Sequence, residues 1–102
     1  MSDRPLPPPS CSLDEAGLGA QRARYARLAA HVRTSARRDG ELVVAFDGGV
    51  DHALLAETLA IERECCPFFD LRLDGDRLTA SVEHPGQDPA LDALAYALGA
   101  AG

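Results

Sequence analysis

The sequence predicts an α+β fold, a three-stranded sheet covered on one face by helices, in the order α-β-α-β-β-α. Three observations carry this. Two segments repeat their apolar residues at helical spacing, the first around Leu18, Tyr25 and Val32 and the second around Leu55, Leu59 and Cys66. A β-branched run, Glu41 to Phe46, is bounded by Gly40 and by Asp47-Gly48-Gly49. Finally, two alternating stretches flank Asp74-Gly75, which reads as a β-hairpin.

Residues 1–10, MSDRPLPPPS, hold four prolines, which fix φ and remove amide donors, so an extended or disordered lead is expected before a single domain over 11–100. Ser12 and Glu15 stand in the S-x-x-E spacing of a capping box, placing the start of the first helix there. Leu18, Tyr25, Leu28, Val32 and Ala36 form its apolar stripe, arginines occupy its other side, and Gly40 is its expected stop. ELVVAF, 41–46, reads as a buried strand. Asp51 is placed to cap a second helix, on which Leu55, Leu59, Glu62 and Cys66 share one line and Leu54, Ile61 and Cys65 the next. Pro67 ends that helix at the cysteine pair, since proline disfavours α geometry at the residue before it. Phe69, Leu71 and Leu73 and then Leu78, Ala80 and Val82 give the hairpin one apolar face. Asp88 as N-cap and Pro89 at the first helical position open a last helix with Leu91, Leu94 and Leu98 as its stripe. The second helix is long enough to be the crossover of a βαβ unit.

Composition narrows the function classes. The net charge of -6 argues against a nucleic-acid binder, because phosphate contacts need a cationic surface. All ten basic residues are arginine, many between Arg22 and Arg38, where they form one basic face in an acidic chain. No apolar run approaches a membrane span and no secretory signal opens the chain, so a cytoplasmic location is expected. Three cysteines, two of them adjacent, make a disulfide framework a poor explanation. Alanine-rich helices over a small core leave homodimerisation open.

The chemistry concentrates in ERECCPFF, Glu62 to Phe69. Glu62 precedes Cys65 by three residues and Cys66 by four, so its carboxylate reaches both across one turn. A helix C-terminus carries partial negative charge and Glu62 adds to it, so the thiols resist ionising unless a cation or another group assists. Cys11, just before the first helix, is a third candidate sulfur if the two helices pack side by side. There is no C-x-x-C or paired Cys/His spacing of a structural zinc site, whereas thiolate-rich sites of low coordination suit soft ions. The metal candidates are therefore Cys11, Cys65 and Cys66, with a soft metal ion as ligand and no required cofactor. Were the protein an enzyme, cleaving an organometal bond or cycling its cysteines, Glu62 and Asp70 are the candidate proton carriers. Two alternatives stay open: the cysteines as small apolar core residues, and the domain as a protein interaction module. His31, His52 and His84 share no spacing with the cysteines and read as local.

Cys11 ahead of a polar helix start, the segment IERECCPFF, the hairpin and the short last helix together resemble small bacterial domains found alone or appended to MerR-type, mercury-responsive regulators. The resemblance spans most of residues 10–99, and its specific part is E-x-x-C-C-x-F-F. It implies binding of a soft metal, metalloid or organometal, of the mercury, arsenic or copper(I) class, in resistance or sensing. Cys11, Cys65 and Cys66 are the matching thiols. The chain lacks the DNA-binding helices of those regulators, so their activity does not carry over.

Overall fold

A computed structural model describes residues 14–99. The capping role expected of Ser12, the proline-rich lead and Cys11 lie outside these residues. The order is α1 (Glu15–Ala29), β1 (Val32–Arg38), β2 (Glu41–Phe46), α2 (His52–Cys65), β3 (Asp70–Asp74), β4 (Arg77–Ser81) and α3 (Asp88–Ala97), with a 3-10 turn at Pro85–Gln87 before α3. The α+β class is as the sequence predicts. The sheet, however, has four strands rather than three, and the order is α-β-β-α-β-β-α.

The extra strand comes from the second half of the segment read as one long helix. α1 stops at Ala29, and Val32 to Arg38 then turns into β1 and pairs antiparallel with β2, from Val32↔Phe46 to Arg38↔Glu41. Asp39-Gly40 is the two-residue connection, with Gly40 at φ +75°, a conformation glycine adopts without Cβ strain. Arg33, Arg37 and Arg38 thus belong to an edge strand and not to a basic helical face. Both helix starts have carboxylate caps: Asp14 accepts from the Gly17 amide at 2.8 Å, and Asp51 from Leu54 at 3.0 Å. Asp88 does not cap α3, whose N-cap is Gln87. Its carboxylate instead accepts from the Gly40 amide at 2.9 Å and lies 3.5 Å from Arg37, tying the β1–β2 turn to α3.

The sheet is wholly antiparallel in the order β1-β2-β4-β3. β2 and β3 therefore run the same way with β4 inserted between them, so α2 is a crossover that skips one strand. Directly paired residues share a face, which puts Leu42, Val44, Phe46, Leu71, Leu78 and Ala80 on the helix side, all buried. Tyr25 and Leu28 of α1, Leu55 and Leu59 of α2, and Leu91, Leu94 and Leu98 complete the core. Each such aliphatic side chain contributes roughly 1.5–3 kcal/mol by leaving water. The other face of the sheet, with Arg72, Arg77, Asp70 and Asp74 among its residues, carries no helix among the described residues.

Strand register also fixes how the helices run. α1 feeds β1 at the sheet end marked by Val32↔Phe46, and α2 leaves β2 at that same end. α1 and α2 consequently lie antiparallel, and the first turn of α1 is level with the end of α2 where the cysteines are. The sequence made a third sulfur conditional on those two helices packing together, and they do.

Candidate functional site

α2 ends where Pro67 requires it to. Cys65 is its last helical residue and Cys66 its C-cap, with φ -132° and ψ 74°. The Cys66 amide still donates to the Glu62 carbonyl at 2.8 Å, and the Cys66 carbonyl accepts from Phe69 at 3.1 Å, closing a tight turn into β3. Cys65 is half-buried and Cys66 is fully buried.

Glu62 is 0 % exposed, in a core that contains only two other buried polar side chains among the described residues, Gln21 and Thr58. The three belong to one cluster. The Tyr25 hydroxyl donates to Glu62 Oε1 at 2.6 Å, in the short range of a bond to a charged acceptor. Gln21 Nε2 lies 3.4 Å from the same oxygen and donates to the Thr58 carbonyl at 3.0 Å. Gln21 Oε1 in turn accepts from Arg24 at 2.8 Å, so a cation is linked to Glu62 through one amide. Thr58 spends its hydroxyl on the Leu54 carbonyl at 2.7 Å. A buried carboxylate is costly unless it finds donors, and α1 supplies two of them to Oε1.

Tyr25 also feels the charge of Glu62 and Cys66. Burial pushes the Tyr25 phenol well above its ordinary value, and the negative charge of Glu62, its hydrogen bond and then Cys66 push it the same way. Tyr25 is thus a fixed donor over the ordinary pH range. The C-terminus of α2 adds partial negative charge at the thiols.

The structure unites Glu62, Cys65 and Cys66 at one helix end and separates Asp70 from them. Asp70 is exposed, on the face of the sheet away from α2, and pairs with Arg72 at 3.2 Å. Cys11 lies outside the described residues. Among the described residues no three His, Cys, Asp or Glu side chains form a metal-holding group. Cys65 and Cys66 are the two candidate sulfurs that the described residues contain. Two of the three histidines are local: His31 meets Asp47 at 3.0 Å, and His52 meets Asp76 at 2.7 Å.

Gln21 and the role of Tyr25 escape a reading of single helices. The signal was present all the same. Gln21 interrupts the apolar line Leu18-Tyr25-Leu28 of α1, and Glu62 interrupts the line Leu55-Leu59-Cys66 of α2. Two polar residues set in facing apolar stripes answer each other. No helix among the described residues is long and apolar enough to cross a membrane. Comparison of the chain with family models, with curated proteins and with solved structures finds no match.

Proposed function

We propose that this protein binds a soft metal, metalloid or organometal through the thiols of Cys65 and Cys66, in resistance or sensing. The observation that carries the reading is the junction of an adjacent cysteine pair with a wholly buried, hydrogen-bonded Glu62 one turn away. A core this small has little need of a buried carboxylate, and packing alone does not call for two neighbouring thiols beside it. The resemblance of Glu62 to Phe69 to the segment in domains of mercury-responsive regulators supports the same class of ligand. Thiols give up their protons to the metal on binding, and binding stabilises the folded state. The test is native mass spectrometry with mercury(II), copper(I) and arsenite, comparing the wild type with the Cys65→Ser/Cys66→Ser variant. Uptake by the wild type alone is expected, and equal uptake by both would sink the proposal.

A second reading, turnover of an organometal, is favoured by the position of Glu62, which is the acid placed beside the thiols, whereas Asp70 is not. Release of hydrocarbon from an organomercurial, lost in Glu62→Gln, separates turnover from binding.

A further inference from the structure

A groove of about 560 Å³ opens at the end of the sheet where β3 starts and β4 stops. Small organic ligands occupy sites of roughly 300–1,000 Å³, so a small molecule fits this space. Asp70 and Ser81, directly paired on the helix-free face of the sheet, are on its lining, and neither Cys65 nor Cys66 is. The groove is therefore separate from the thiols. Its apolar wall is fixed in place: Phe68 and Val82 are partly buried against the core, and the Phe68 ring leans on Phe69 with centroids 4.8 Å apart. Its polar groups, by contrast, are unspent. The side chains of Glu83, His84 and Gln87 enter no hydrogen bond or ion pair among the described residues. Asp70 shares its charge with Arg72 at 3.2 Å, which leaves exposed Glu83 as the uncompensated charge. No arginine lines the groove, although the chain has ten.

We propose that this groove binds a small organic ammonium ion, an amine with an aromatic or apolar body. The body lies against Phe68 and Val82, and the ammonium group is matched to the Glu83 carboxylate. The ring face of Phe68 adds attraction for a cation held over it, and the oxygens of Gln87 and Ser81 are acceptors for its remaining protons. The carboxylates and His84 form no metal-holding group, so the cation that suits the lining is an organic one that also uses the apolar wall. An anion finds no positive partner there, and a neutral ligand of the same shape forgoes the carboxylate. The net charge of -6 adds a longer-range pull on any cation. Binding is reversible, makes no covalent bond and uses no sulfur, so it stands independently of the thiol reading above.

Titration of the isotope-labelled full chain, followed by its amide NMR shifts, tests this with three probes of similar shape: phenethylammonium, phenethyl alcohol and hydrocinnamate. Phenethylammonium should give saturable shifts centred on residues 67–70 and 81–87, with the millimolar affinity of a fragment-sized ligand. At low salt it should bind about threefold to tenfold tighter than the alcohol, with hydrocinnamate weaker than both, and added salt should narrow the gap. Glu83→Gln changes an exposed side chain, so the fold survives it, and the ammonium should drop to about the affinity of the alcohol. Phe68→Leu, which keeps apolar bulk and removes the ring, should weaken the ammonium by about twofold to fivefold. Equal affinity of the wild type for ammonium and alcohol overturns the proposal, as does an unchanged gap between them in Glu83→Gln. Shifts that never saturate, or that lie mainly on acidic surface away from the groove, overturn it as well. A chain that takes up no metal but binds phenethylammonium in this pattern refutes the thiol reading and leaves the groove standing.

Discussion

Tyr25→Phe is the most informative single change in this molecule, because it keeps the ring and removes one bond. Tyr25 is 2 % exposed, so phenylalanine retains its packing against Leu28 and the neighbouring core. What goes is the hydroxyl that donates to Glu62 at 2.6 Å. A hydrogen bond to a charged group contributes about 1.5–3 kcal/mol, and its loss strips the buried carboxylate of its shortest described donor. For a domain of this size, each kcal/mol moves the midpoint by about 4–8 °C, so Tm should fall by roughly 6–24 °C at pH 7. The pH dependence supplies a second readout. Tyr25 has its folded pKa raised above the ordinary 10.0. Its contribution is therefore whole below pH 10 and is lost as pH rises from there toward the folded value, with a slope of about 1.4 kcal/mol per pH unit. The chain has no lysine, so few other groups titrate in that window. Urea unfolding from pH 8 to 12, in a Cys11→Ser/Cys65→Ser/Cys66→Ser background to remove all three thiols, should show the alkaline decline with Tyr25 and a much flatter profile with phenylalanine. A variant as stable as the parent at pH 7, or one that keeps the full alkaline slope, would refute the account of the buried cluster.

Further outcomes follow from features elsewhere. Asp47 is held below its ordinary 3.8 by the Gly49 amide first and by His31 second, so its contribution is present above that value and lost on acidification; the stability gap between wild type and Asp47→Asn should close as pH falls from 5 to 2 in chemical unfolding. Gly40→Ala should cost about 1–2 kcal/mol through the left-handed backbone alone, since the new Cβ meets only the Val82 carbonyl at an ordinary 3.5 Å. Asp88→Ala removes the acceptor of the Gly40 amide and one of the two carboxylates beside Arg37, and should lower the unfolding free energy in urea by about 1–2 kcal/mol. Asp92→Ala, which removes a partly exposed ion pair with Arg37, should cost less than about 1 kcal/mol. Mercury(II) at a hundredfold excess over its dissociation constant should stabilise the wild type by about 2.7 kcal/mol in thermal unfolding and leave the double serine variant unmoved.

Where sequence and structure agree, the elements have strong local grammar. Pro67 fixes the end of α2, Asp51 its start, and Asp74-Gly75 the second hairpin, each through steric or capping chemistry confined to a few residues. The first hairpin was not read from the sequence: Gly40 stood as the stop of a long helix, and VRTSARR hides its strand character. It is an edge strand with a polar outer face, and Val32 and Ala36 happen to continue the seven-residue spacing of Leu18 and Tyr25. Only pairing with β2 settles it as a strand, and pairing is not a property of the segment itself. Asp88 shows the same limit, because the Gly40 amide, 48 residues away in sequence, outcompetes the helix start for its carboxylate. At the site, ERECCPFF announces the acid and the thiols, whereas the partners that make the buried acid tolerable come from α1 and appear only when two stripes are read together.

The insertion of β4 between β2 and β3 has a kinetic consequence. The sheet consists of two hairpins, β1–β2 and β3–β4, each closed by a two-residue turn and each able to zip in about 1–10 μs. One ladder, β2 against β4, joins them across the whole of α2. Pairing of β2 with β4 is therefore predicted to limit the folding rate, and the loop that must close in that step contains α2 and the cysteine pair; stopped-flow refolding of seam variants checks this. Substitutions at the β2–β4 seam, such as Val44→Ala or Leu78→Ala, should slow folding, while those in the hairpin turns should chiefly change how long each half survives alone.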